Sequence, residues 1–321
     1  MRKWLTGAAL TAVTALTVAG LSAPSRGCIA IPIDRPNQPP VSMRLAEQRA
    51  FIFREKDKQH LVLSIQYDGA AGEFAWIIPV ESKPEVDVLA GAPFTELRKM
   101  TRIQEPVAPA GALRAPTAAA PEASVQVLER KEAGPYDLAV LRASNTGGLY
   151  EWLNKNGFKL NKNSRGALDS YVTRNFVFVA ARIRPGSQHN QTVAERLRSG
   201  TIAPLHMVYK TPQLSYPLRV TSGNPGVSHM ELYVLNPTRS DFGALEPVRF
   251  RLTPQGSRGF RISGPANLAN PEGEFPTIRT LIPKGGTLVK LEGDLSDEQR
   301  QKDLVFDAPG DKKDPFNPNR R

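Results

Sequence analysis

A single cysteine, Cys28, in 321 residues excludes any internal disulfide, so the fold must be held by its core. Local catalytic signatures are missing too. There is no G-x-S-x-G, S-x-x-K, H-E-x-x-H, P-loop, G-x-G-x-x-G or C-x-x-C, which removes the sequence marks of common hydrolases, zinc proteases, nucleotide enzymes and dithiol oxidoreductases. The four histidines, His60, His189, His206 and His229, are widely spaced; they could converge on a metal in three dimensions, but scattered histidines read as ordinary surface or core residues. No catalytic residue, metal site or cofactor is expected from these patterns. A triad assembled from distant residues leaves no local trace, so an enzyme with an unrecognised site stays open as the alternative.

Long apolar runs are equally scarce, and the one present is informative. Arg2 and Lys3 precede an uncharged stretch from Leu5 to Leu21, and small residues follow at Ala23, Ser25 and Gly27. That order marks a secretory signal peptide over residues 1–27. The run is Ala- and Thr-rich and short for a comfortable membrane span of about 20 residues, so cleavage is expected, with the mature chain starting near Cys28. The protein is thus expected to be exported, to a periplasmic, extracytoplasmic or secreted location, with no integral span after cleavage. Cysteine at such a junction suggests lipidation, but Ser25, Arg26 and Gly27 make a poor lipobox; a lipidated Cys28 and a free or partner-linked thiol both remain open.

Lys and Arg number 42 against 31 Asp and Glu, a formal charge of +11 that stays positive when Arg2, Lys3 and Arg26 leave with the signal. For an exported chain this predicts attraction to an anionic envelope polymer or a membrane surface rather than to nucleic acid. A basic surface with no function is the plainer reading.

Strand patterns open the mature chain: Arg49 to Arg54, His60 to Tyr67 and Phe74 to Val80 are short, rich in β-branched and aromatic residues, and economically arranged as an antiparallel meander. A helix is expected over Pro93 to Thr101, with Phe94, Leu97 and Met100 at helical spacing. Gln104 to Pro121, with seven Ala and four Pro, buries too little to repay its ordering and reads as a disordered loop. Strands at Ser124 to Arg130 and Tyr136 to Arg142 need partners, and the meander offers edges. Helices at Leu149 to Asn156 and Asn163 to Arg174 precede a buried strand over Asn175 to Ile183, and Thr192 with Glu195 makes a capping box for a short helix.

The segments Tyr67 to Pro84, Gly134 to Leu141, Glu151 to Gly157, Phe176 to Ala180 and Pro204 to Val220, taken in order, resemble a bacterial family called domain of unknown function 2330. The resemblance spans roughly residues 28 to 240. It implies an exported protein, often with cysteine just after the signal. Many members carry a C-terminal apolar helix, whereas here a polar tail stands in its place. No catalytic residues come with the resemblance.

The second half reads as β-rich: Tyr216 to Ser222, His229 to Leu235, Pro247 to Thr253, Arg258 to Ser263 and Thr287 to Leu291, with a helix expected from Ser296, where Gln299 completes a capping box. The expected organisation is an α+β, antiparallel-sheet-rich fold: a region over 28–210 containing the loop 104–121, a β-rich region over 211–306, and a disordered basic tail over 307–321.

Within the Pro247 to Ser263 hairpin, alternation places Val248, Phe250, Leu252, Phe260 and Ile262 on one face and Arg249, Arg251 and Arg261 on the other, with Arg258 nearby. Guanidinium forks suit phosphate and carboxylate, so these four arginines are the candidate anion site, against a plain solvated face. Trp76 with Phe74 and Ile78 reads as core rather than as a binding platform. Asp68 and Glu73, in a Gly-rich loop, read as turn residues rather than as an acid–base or calcium pair. The expectation is a non-enzymatic binding or structural module of the cell envelope, taking an anionic polymer or a protein partner, with an envelope hydrolase or other enzyme as the alternative.

Overall fold

The computed structural model describes residues 24–25, 29–33, 44–68, 73–103, 125–158, 160, 162–183, 202–223, 227–239 and 241–307. The bulk of the expected signal peptide, Cys28, the 104–121 loop, the helix expected at Thr192, His189 and the tail beyond Asp307 lie outside the described residues, as do the side chains of Asp68 and Glu73. In chain order come β1 (Pro24–Ser25), β2 (Ile29–Ile33), β3 (Arg44–Glu55), β4 (Lys58–Asp68), β5 (Glu73–Val80), β6 (Glu85–Val88), α1 (Pro93–Met100), β7 (Val125–Ala133), β8 (Tyr136–Ala143), α2 (Thr146–Lys155), α3 (Lys162–Thr173) and β9 (Val177–Ile183). Then follow β10 (Leu205–Lys210), β11 (Ser215–Tyr216), a 3-10 turn (Leu218–Gly223), β12 (Val227–Leu235), β13 (Glu246–Gln255), β14 (Gly259–Ser263), β15 (Glu272–Glu274), α4 (Pro276–Leu281), β16 (Gly286–Leu295) and β17 (Leu304–Val305). The fold is α+β and rich in antiparallel sheet, with few and short helices.

Two sheets face each other. The larger runs β15-β14-β13-β16-β12-β3-β4-β10-β6, with β1 attached to β12; the smaller runs β2-β5-β9-β8-β7. Every neighbour is antiparallel except β12, which lies parallel to both β3 and β1. Strands from both expected regions, 28–210 and 211–306, therefore share the larger sheet.

Alternation along the strands sorts their apolar residues into three layers. Ile52, Leu61 and Leu232 of the larger sheet meet Trp76, Ile78 and Val179 of the smaller one in the inter-sheet core. The opposite face of the smaller sheet, with Ile77, Leu141 and Phe178, is covered by Leu149 and Leu153 of α2 and Leu168 and Tyr171 of α3. The outer face of the larger sheet, with Phe51, Phe53, Tyr233, Phe250 and Leu288, receives Phe94, Leu97 and Met100 of α1 and Ile278 of α4. Trp76 is fully buried and packs edge-on to Tyr136 at 5.7 Å, the core position its alternation predicts.

The helix ends match their sequence signals. Pro93 opens α1, Asn145 caps α2 by accepting from the Gly148 N–H at 2.7 Å, and Gly157 takes the positive φ of 86° that follows its C-terminus.

Four expectations change. β3 and β4 form the first hairpin, with Phe53 opposite His60, but β5 leaves for the smaller sheet and pairs with β2 and β9. The apolar run of β5 is buried on both faces, which the margin of a meander cannot provide. Likewise β8 takes β9 rather than an edge of the first hairpin. The strand expected at Tyr216 to Ser222 is mostly the 3-10 turn: Pro217 has no N–H for a ladder, the Arg219 N–H goes to Asp303 at 3.0 Å and the Val220 N–H to the Tyr171 hydroxyl at 3.0 Å. At Ser296 the capping box closes, with the Ser296 N–H donating to Gln299 at 2.8 Å, yet only turns follow.

Candidate functional site

The outer face of the larger sheet changes character along its strands. Under α1 and α4 it is aromatic and aliphatic; beyond Tyr233 it becomes charged. Strand register builds this charged end row by row. Arg49 of β3 stands beside Glu231 of β12, which stands beside Glu292 of β16, which faces Glu246 of β13. One row nearer the helices lie Phe51, Tyr233, Lys290 and Val248; one row further out, His229 faces Asp294.

Glu231 is the centre, with its side chain 1% exposed. Its carboxylate accepts from Arg98 Nε at 2.8 Å and from the Tyr233 hydroxyl at 2.7 Å, and has Arg49 Nε and Lys290 Nζ each at 3.4 Å. Glu47, two residues before Arg49, pairs with both Arg49 and Arg98. Burying a carboxylate costs several kcal/mol, and such a site holds only when several cations and hydrogen bonds offset that cost. Burial opposes ionisation of Glu47, but Arg49 and Arg98 outweigh it and hold its carboxyl below the usual range. Burial likewise opposes the charge on Arg98, and Glu231 and Glu47 overcome it. The Tyr233 hydroxyl is pushed well up by burial and by its carboxylate neighbour Glu231.

Arg98 arrives on α1, whose position is fixed from its other side. Glu96 accepts the N–H groups of Thr277 and Ile278 at 3.1 and 2.9 Å, so one helix supplies the N-terminal cap of α4. At the rim, His229 lies between Glu292 and Asp294, with Asp294 at 2.8 Å and Glu292 at 3.6 Å. These carboxylates, Glu292 foremost, raise the imidazole to about 9, while His229 and Lys290 lower Glu292 to about 2.

Beside this network opens a cleft of about 690 Å³. Arg98, Lys99 and Arg102 line its α1 side, and Glu231, Lys290, Glu292 and Glu246 its floor and far side. Arg98 and Lys290 are anchored on Glu231, and Glu292 is matched by Lys290 and His229. Arg102 and Glu246 have no ion-pair partner among the described residues, and Lys99 rests 5.7 Å from the Phe275 ring centre. Fixed cations, a wide opening and a polar floor suit binding of a charged group.

The arginine hairpin forms with the expected faces: Phe250, Leu252, Phe260 and Ile262 are buried while Arg251 and Arg261 are exposed and Arg249 is half-buried. Its strands β13 and β14 add nothing to the inter-sheet core, and Arg251 and Arg261 stay open to solvent where Arg249 does not. Acids on β15 change its charge, however. Arg261 pairs with Glu272 at 2.8 Å and Arg258 with Glu274 at 3.0 Å. Of the scattered histidines, His60 and His206 are brought to 3.0 Å of each other, and His229 lies apart in the charged network. Among the described residues no three His, Cys, Asp or Glu side chains converge into a metal cage, and no helix is long and apolar enough to cross a membrane.

Sequence reasoning missed Glu231, Arg98 and Lys290. The available signal was Glu231 in the strand His229 to Leu235, where it shares a face with Tyr233 and Leu235; a carboxylate on a buried strand face requires cations from its neighbours.

Comparison with curated proteins gives no match. Among solved structures, the crystal structure of baculovirus P35 is similar at a TM-score of 0.39 and 9% identity, over 84% of this chain and 97% of that one, a likeness too low to carry any argument. The family model described as an uncharacterized protein conserved in bacteria, DUF2330, matches residues 37–251, about two thirds of the chain, and the chain belongs to that family.

Proposed function

We propose that this chain is an exported envelope protein that binds a segment of an acidic polymer in the cleft beside α1 and performs no reaction on it. The observation that carries the reading is the set of cations fixed around the opening: Arg98 and Lys290 held by the buried Glu231, with Lys99 and Arg102 beyond them on the same wall. Cations held before the ligand arrives lose little side-chain entropy on binding. The overall charge of +11 draws acidic partners toward the molecule, and the N-terminal signal pattern supports a destination where such polymers occur.

The test is fluorescence anisotropy with labelled poly-L-glutamate at low and high salt. Expected is binding that weakens steeply as salt rises. Lys99→Gln combined with Arg102→Gln should weaken it about tenfold, equivalent to about 1.4 kcal/mol. Replacing Arg249, Arg251, Arg258 and Arg261 together by Gln should do less, because Glu272 and Glu274 already answer two of them. The reverse ranking would move the site to the hairpin, and absence of salt-sensitive binding would end the proposal.

A further inference from the structure

We propose that His60 and His206 form a two-imidazole chelate for a divalent late transition-metal ion, with copper(II) preferred over nickel(II) and zinc(II). Both residues stand on the outer face of the larger sheet. His60 of β4 pairs in register with Val208 of β10, and His206 of β10 pairs with Val62, so the two imidazoles meet on a diagonal between neighbouring strands. His60 Nδ1 and His206 Nε2 are 3.0 Å apart.

The rings are held in place. Phe53 stacks on His60 at 4.4 Å with planes 19° apart, and the two imidazole centres lie 5.1 Å from each other. Glu55 Oε2 lies 3.6 Å from the other nitrogen of His60, Nε2. A carboxylate there favours the proton on Nε2 and leaves the Nδ1 lone pair for a metal, the outer-shell arrangement that ligating histidines ordinarily show. In the metal-free chain, one proton lies between His60 Nδ1 and His206 Nε2. An ion takes the place of that shared proton, which His206 then carries on Nδ1.

Ligand type selects the ion, and the separation accommodates it. With metal–nitrogen distances of roughly 2.0–2.1 Å, two nitrogens at a right angle stand about 2.9 Å apart, and at a tetrahedral angle about 3.3 Å. The observed 3.0 Å, an ordinary hydrogen-bond length in the metal-free chain, lies between these two spans and admits either. Adjacent corners of a tetragonal ion are the copper(II) and nickel(II) arrangement, and copper(II) binds such ligands most tightly. Asp87 of β6 faces His206 directly, and an open groove of about 580 Å³ lined by His206, Asp87 and Glu85 gives access and room for water ligands. With no third ligand closing a cage, the ion is exchangeable rather than structural.

The test uses the full chain with Cys28→Ser, which removes the competing thiol, stripped with EDTA and titrated in a calorimeter with copper(II), nickel(II) and zinc(II) chlorides. Expected is one copper(II) per chain at micromolar affinity or tighter, roughly −8 kcal/mol, with nickel(II) and zinc(II) weaker. His60→Gln and His206→Gln should each weaken copper binding more than about tenfold and Glu55→Gln by about tenfold, while His189→Gln and His229→Gln leave it unchanged. Electron paramagnetic resonance of the copper complex, in the chain with both histidines intact, should show coupling to two imidazole nitrogens, a readout that needs no refolded variant. Undiminished copper binding in the His60→Gln/His206→Gln double variant, or a spectrum without imidazole coupling, would overturn the assignment.

Discussion

His229 and His206 project from the same face of the same sheet, several strands apart, and their surroundings drive them in opposite directions. His229 is held between Glu292 and Asp294 and rises to about 9. His206, buried beside His60 with Phe53 behind that ring, falls to about 4. The residue type does not decide the charge; the row it occupies does. Where carboxylates hydrogen-bond the ring the imidazolium is stabilised, and where burial and a second imidazole outweigh the nearby Asp87 it is expelled.

The strongest way to break this contrast is to remove the carboxylate that organises the charged end. Glu231→Ala leaves Arg49, Arg98 and Lys290 around a buried vacancy, and unfolding in urea should show a loss of about 3–5 kcal/mol. Glu231→Gln, which keeps the shape, should cost less; equal stability of Glu231→Ala and the parent would mean that the network contributes nothing.

Opposed shifts predict a stability profile with a maximum near pH 6.5, with His206 and its neighbour His60 on the acid limb and His229 on the alkaline one. For His206 the folded value lies below that of the unfolded chain, so its contribution is complete above about pH 6.5 and is lost as pH falls toward 4. In the EDTA-treated chain, His206→Gln should remove about 2 kcal/mol of that acid-side loss. For His229 the folded value lies above the unfolded one, so its stabilisation is complete below about pH 6.5 and disappears as pH rises through about 9. Because His229 is partly exposed, His229→Gln should flatten the alkaline limb by only about 1 kcal/mol. Glu292 adds a further loss on the acid side, from its ordinary range down through about 2. Thermal melts across the pH range check all of this, and limbs that do not respond each to its own histidine would refute the contrast. Smallest of all, Arg251→Gln on the exposed hairpin face should stay within about 0.5 kcal/mol.

Much of this fold was legible because alternation and helical spacing speak locally. The hairpin of β13 and β14, the buried strand β9, helix α1 and the core position of Trp76 all follow from short windows of residues. What stayed hidden depends on distant neighbours. Nothing within Phe74 to Val80 says that β5 must leave β4, because the cover for its second face comes from α2 and α3, more than sixty residues further along the chain. The candidate cleft was less legible still. Arg49, Arg98, Glu231 and Lys290 are unremarkable charges in their own segments and become a network only when register sets β3, β12 and β16 side by side. The His60–His206 contact spans 146 positions for the same reason.

The parallel pairing of β3 with β12 has a consequence in time. Met230 to Val234 join Gln48 to Ile52 at the middle of the larger sheet, across almost 180 intervening residues. At a synthesis rate of about 5–20 residues per second, β3 waits roughly ten to forty seconds for this neighbour. During that interval its Phe51 and Ile52 are without the strand that later shields them, and the sheet cannot close around an incomplete chain. A polypeptide whose central seam is sewn this late can complete its larger sheet only after most of its length has been made.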